Sequence, residues 1–157
     1  MPVKKLKDFL DKENVRYVST YHSLVYTAQE VAEAVHVKGK EMAKTVMIKL
    51  DGKMAMAVLP ASHQVDFEQL KRVSGVQEVT LATEKEFEDL FRDCHIGAMP
   101  PFGNLYGMDV FVSRALTEDK EIAFTAGSHY EVIKLAYKDF ERLVNPKIGD
   151  FSVKMKS

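Results

Sequence analysis

KTVMIKLDGKMAMAVLP, Lys44 to Pro60, is the stretch whose reading decides the fold. Two β-like runs flank Asp51-Gly52, a pair that tolerates the positive φ angles of a tight hairpin turn, and Pro60 stops the second run. A hairpin is therefore predicted over 44–60. In its first strand the side chains alternate between two faces. Val46, Ile48 and Leu50 share the expected core face, and Lys44 has the same parity, so it points inward where the strand begins. Lys49 has the opposite parity and reads as an ordinary surface lysine. A core-side lysine at the mouth of a sheet has two readings. It lines a pocket, with its ammonium ready to meet an anion or a carbonyl oxygen, or its stem packs on the core while the amine reaches water. Strand parity leaves both open.

Outward from the hairpin, local signals mark the neighbouring elements. Val3, Leu6, Phe9 and Leu10 keep helical spacing over 3–13. TAQEVAEAVHV opens on a capping box, Thr27 with Glu30, and Gly39 closes that segment. DFEQLKRVSG reads as a helix capped by Asp66 and ended by Gly75. QEVTLA reads as a short strand, and TEKEFEDLFRDC as a helix with a second capping box, Thr83 with Glu86. DVFVSRAL, EIAFTAG and EVIKLAY read as a three-stranded meander, and KDFERLVN as a closing helix before Pro146. The expected fold is α+β, with helices around a mixed, curved sheet. It forms a single domain over 1–157, with a core over about 3–145 and a polar tail over 146–157.

The composition fits this. A chain of 157 residues, 46% hydrophobic and 29% charged, is large enough for one self-sufficient core. It holds no apolar run long enough to span a membrane and no signal-peptide pattern, so no membrane partner is expected. A single cysteine, Cys94, suits a reducing compartment, and the expected location is cytoplasmic. Net charge is −1, which gives no global case for binding DNA or any other nucleic acid. Locally, lysines 38, 40, 44, 49 and 53 form a basic strip, read either as a phosphate-attracting surface or as a solvated face. The five histidines, 22, 36, 63, 95 and 129, are scattered without metal-ligand spacing, so neither a metal nor a cofactor is expected.

GAMPPFGNLYG, Gly97 to Gly107, concentrates three of the eight glycines and two of the five prolines. Glycine lets a backbone approach a ligand closely, and proline makes that approach rigid. Such a loop is a plain connector or a substrate cradle. As a cradle, it can turn the N–H groups of Gly97 to Met99 toward an oxygen that gains negative charge.

EMAKTVMIKLDGKMAMAVLPASHQVD, GAMPPFG and FTAGSHYEVIKL, in that order and spacing, resemble the YbaK-type aminoacyl-tRNA deacylases. These are free-standing relatives of the editing domain inserted in bacterial prolyl-tRNA synthetases. The likeness runs from about His22 to Asn145. It implies a YbaK-like mixed fold and hydrolysis of the ester joining a wrong amino acid to the acceptor end of tRNA, with a synthetase as a further partner. It maps the family's essential lysine onto Lys44, with Thr45 beside it. It maps the substrate loop onto Gly97, Ala98, Met99, Pro100 and Pro101, with Phe102 next to it. Gly127, Ser128 and His129 fall on a second substrate segment, where some relatives hold a histidine that sets substrate size. His22 is either a pocket-wall residue or a turn histidine. Lys44 is followed by Thr45 where the alanine-editing branch carries asparagine, so the resemblance assigns no alanine specificity.

The expected mechanism uses no protein nucleophile. The ribose hydroxyl beside the ester assists water or attacks, and Lys44 holds a terminal phosphate or the carbonyl. Two other functions are weighed. One is a non-catalytic module of the same fold that binds tRNA, a nucleotide or a synthetase. The other is a cysteine hydrolase, disfavoured because Cys94 and His95 are adjacent on a helix end and diverge by about 100°. AGSH lacks the nucleophile elbow of a serine hydrolase.

Overall fold

The computed structural model describes residues 4–22, 27–92, 94–95 and 97–155. Val3 and residues 23–26, which follow His22, lie outside them. In chain order the first half forms α1 (Lys4–Lys12), β1 (Tyr17–Tyr21), α2 (Ala28–Ala34), β2 (Ala43–Leu50), β3 (Lys53–Pro60), β4 (His63–Val65), α3 (Phe67–Ser74) and β5 (Val79–Leu81). The second half forms α4 (Glu84–Phe87), β6 (Asp109–Ser113), α5 (Arg114–Thr117), β7 (Glu121–Thr125), β8 (Glu131–Ala136), α6 (Tyr137–Val144), β9 (Lys147–Gly149) and β10 (Ser152–Lys154). Short 3-10 turns cover Glu88–Phe91 and Gly103–Tyr106.

The hairpin forms as its turn chemistry demands. β2 and β3 pair antiparallel from Ala43↔Pro60 to Leu50↔Lys53. Asp51 and Gly52 take φ of 49° and 84°. The Asp51 carboxylate also accepts the Gln77 and Glu78 N–H groups, which ties the turn to the approach to β5. Both capping boxes are present, Thr27 with Glu30 and Thr83 with Glu86. Asp66 caps α3, and Gly75 ends it in the left-handed conformation.

Among the described residues three sheets form, ordered β5-β2-β3-β6-β9, β1-β8-β7 and β10-β4. The first is mixed, because β6 runs parallel to both β3 and β9. The expected meander is therefore wrong. β6 leaves for the central sheet, α5 turns the chain at Arg114–Thr117, and only β7 and β8 form a hairpin. Nor do the described residues 146–155 of the expected tail hang free. Lys147–Gly149 is the edge of the central sheet, and Phe151 is fully buried beside Leu70 and Phe111.

Both faces of β2 are covered. Ile48 and Leu50 pack with Leu70 and Phe151, whereas Ala43 and Met47 pack on the other side with Phe87, Phe102 and Phe124. The single core face expected from Val46, Ile48 and Leu50 is thus half of the core. Lys49 sits on the second face, where it pairs with Glu86 and, with the Thr83 N–H, holds that carboxyl down to about 2. Lys53 lies 4.0 Å from Asp109, so the basic strip is partly neutralised and is not one continuous positive face.

Glu131, at the start of β8, is 3% exposed. Burial pushes its pKa up, but the hydrogen bonds from Lys7, at 2.8 Å, and from Ser19 outweigh this and bring it below the usual value. α1, β1 and β8 are locked together there, directly after the Gly127–Tyr130 loop.

Candidate functional site

Two of the expected segments meet. Gly97 has φ +86°, and the place a Cβ would occupy is 3.6 Å from His129 Cε1. A side chain there meets both strain and the imidazole. The Gly127 N–H donates to Ala98 O at 2.8 Å, and the His95 N–H to Gly127 O at 2.7 Å. The Ser128 hydroxyl accepts the Tyr130 N–H at 3.2 Å, which shapes the turn. The His22 N–H donates to Tyr130 O at 2.9 Å, so His22 stands beside this second loop.

The oxyanion expectation narrows here. The Ala98 N–H already donates to His95 O, and the Gly97 N–H points to Met99 Sδ at 3.3 Å. Among the described residues, the Met99 N–H alone of the three expected donors has no partner. Ala98, Met99, Pro100 and Pro101 are buried, main chain included, and Gly97 is the exposed residue of the segment. Phe102, expected beside the substrate loop, turns inward. Fully buried, it packs against Phe9, Phe124 and Phe140 with centroids 6.3, 5.5 and 5.5 Å away, and anchors the loop to the core.

Lys44 is half-buried at the start of β2, and Thr45 beside it faces the other way. The lysine borders a cavity of about 350 Å³ with Thr27, Gln29, Ala61 and Met155. No residue from Gly97 to Pro101 borders it. The two groups are connected through the sheet and not in contact. Met42 bridges Ala123 in parallel, so Lys44 and Thr125 each lie two residues beyond that bridge, and Gly127 follows.

Among the described residues Lys44 has neither an ion pair nor a hydrogen bond, and burial lowers its pKa from the usual value. An ammonium held partly out of water without a counter-ion is costly. A surface recess of about 810 Å³ along β1 and β8 is larger, but its Lys134 and Glu121 already pair with each other at 3.6 Å. The Lys44 cavity is the better candidate.

Three residues that sequence spacing did not single out lie beside these segments. His63 sits near Lys44, with Nδ1 2.9 Å from Ser152 Oγ, which is 2.7 Å from Ser113 Oγ. Burial, then the charges of Lys44 and Lys154, lower its pKa, which favours the neutral imidazole. Met155 borders the cavity because β10 pairs with β4, a contact no local pattern announces. His95 joins the two loops.

Cys94 is half-buried, with Sγ 3.5 Å from the Tyr106 hydroxyl. Cys94→Ser is expected to leave ester hydrolysis within about twofold. A hundredfold loss in a folded variant, about 2.7 kcal/mol in the transition state, would make the thiol a nucleophile.

The model of the aminoacyl-tRNA editing domain family matches residues 22–143. The Multifunctional Ser/Thr-tRNA deacylase ProXp-y of Escherichia coli (strain K12) is 28% identical over 153 residues, 94% of this chain and 91% of that protein. A proline–tRNA ligase of Bacillus mycoides (strain KBAB4) is 24% identical over 88 residues, 56% of this chain and 15% of the ligase. A solved structure described as a candidate trans-editing enzyme for prolyl tRNA synthetase superposes with a TM-score of 0.82. It has 18% identity and covers 99% of this chain and 98% of its own, a likeness of fold alone. With the match spanning both loops and Lys44, this chain belongs to the aminoacyl-tRNA editing domain family.

Proposed function

We propose that this chain hydrolyses the ester of mischarged aminoacyl-tRNA, with Lys44 as its principal electrostatic group. The observation that carries the reading is the half-buried Lys44 ammonium, unpaired among the described residues, inside a family that edits aminoacyl-tRNA. The cost of keeping that charge is offset when substrate brings an anion. This anion is the terminal phosphate or the oxygen that gains charge as water adds to the ester carbonyl. The ribose oxygen then leaves with a proton, and no protein nucleophile is required. Gly97–Pro101 and Gly127–His129 form the wall beside the aminoacyl group, with His22 and Thr45 next to them, and the Met99 N–H is the loop donor left without a partner among the described residues.

Serine and threonine are the proposed residues removed. The E. coli relative supports this, and Thr45 in place of asparagine argues against alanine. Likeness to a segment of a proline–tRNA ligase supports work alongside a synthetase. The test is a single-turnover panel of tRNAs charged with serine, threonine, alanine, cysteine and proline. Faster loss of serine and threonine than of alanine is expected. Binding without hydrolysis of any of them would make the chain a recognition module.

A further inference from the structure

His95 makes long-range contacts that no local role requires. Its main-chain N–H holds Gly127 O at 2.7 Å, while its main-chain carbonyl holds the Ala98 N–H at 3.0 Å. Its imidazole Nδ1 accepts the His129 N–H at 3.3 Å, and its ring lies on the His129 ring with centroids 5.6 Å apart and planes 29° apart. Tyr130 meets the same imidazole edge-on at 6.3 Å. The Gly127 N–H closes the circuit on Ala98 O at 2.8 Å. Two loops far apart in sequence are thereby joined by three hydrogen bonds, and His95 supplies two of them, together with the ring contact.

We infer that His95 is a positioning residue that fixes the Gly127–Tyr130 loop against the Gly97–Ala98 turn, so that the two face the aminoacyl group as one rigid wall. The inference rests on the functional reading above for what the wall does, but not for the fastening itself. The side-chain link is specific to one atom. Nδ1 accepts only with its lone pair free, which places the ring proton on Nε2. Loops joined this way lose their independent motion, and a reacting carbonyl misplaced by about 1 Å is enough to cost up to a hundredfold in rate. The rest of the circuit is main chain and survives substitution, so the side-chain share is smaller.

Three variants isolate that atom. Asparagine carries its Oδ1 where histidine carries Nδ1, glutamine carries its oxygen one bond farther out, and alanine has no acceptor. Two measurements are made on the full chain: amide hydrogen exchange at His129, and single-turnover hydrolysis of the best substrate alongside binding of uncharged tRNA. His95→Ala and His95→Gln are expected to speed His129 exchange and slow hydrolysis, each by roughly tenfold, and to leave uncharged-tRNA binding unchanged. His95→Asn is expected to restore both toward the parent. A merely structural role would lower thermal stability without distinguishing asparagine from glutamine. His129 exchange that is equal in all variants overturns the fastening, whatever the activity. Altered exchange with unaltered hydrolysis overturns the positioning role. Failure of the parent chain to hydrolyse any charged tRNA removes the functional reading, and the exchange pattern still decides the fastening.

Discussion

Lys44→Ala is expected to lower single-turnover deacylation by roughly 10²–10³, the scale of losing one well-placed electrostatic donor. Binding of uncharged tRNA should fall far less, because Lys38 and Lys40 remain exposed on the approach to β2. Lys49→Ala serves as the positional control. Lys49 lies on the opposite face of the strand and is committed to Glu86, so the chemical step should barely change. Equal losses from the two lysines would mean that bulk charge matters and position does not.

The same residue gives a stability result of unusual sign. The folded pKa of Lys44 lies below the ordinary lysine value of 10.5 because burial disfavours the charged form. At neutral pH the folded state therefore carries the full cost of that charge, and the cost is relieved only as pH rises through the folded pKa. Lys44→Met, which keeps the stem and removes the charge, should leave Tm equal to or above that of the parent at pH 7. The gap should narrow at alkaline pH. A fall in Tm at pH 7 would mean that the ammonium contributes a stabilising contact within the fold.

Phe102→Ala should be the most damaging single change to stability in the candidate loop, costing about 3–5 kcal/mol. The ring is fully buried among Phe9, Phe124 and Phe140, so truncation leaves a cavity where α1, β7 and α6 converge. Denaturant unfolding measures it. Phe102→Leu, which keeps more of the volume, should cost less and leave hydrolysis near that of the parent at a temperature where both stay folded. A stability loss under about 1 kcal/mol together with abolished hydrolysis would return Phe102 to the substrate-contacting set and undo its assignment as an anchor.

The sequence by itself determined what is encoded within a few residues. Asp51-Gly52 forced the β2–β3 turn, because that pair accepts positive φ at low cost. Thr27 with Glu30, Thr83 with Glu86, and Asp66 with Gly75 marked helix ends, because orphan backbone groups at a helix end need a nearby partner. Strand parity separated Lys44 from Lys49 before any fold was known, since the alternation is a property of one strand.

The tertiary structure decided which strands meet. The alternation in β6 is equally compatible with a meander and with a parallel place beside β3, and only burial on both sheet faces selects the second. β9, β10 and Phe151 carried no periodic signal because each element is three residues long, and their stability comes from partners far away in sequence. Phe102 looked like part of a binding loop until three rings from separate elements closed on it. His95 and His129 are 34 residues apart, and no spacing rule pairs them. Their contact exists because the Gly97 turn and the end of β7 leave the core at one place. Local chemistry writes turns and caps; long-range burial decides which of the resulting loops face each other.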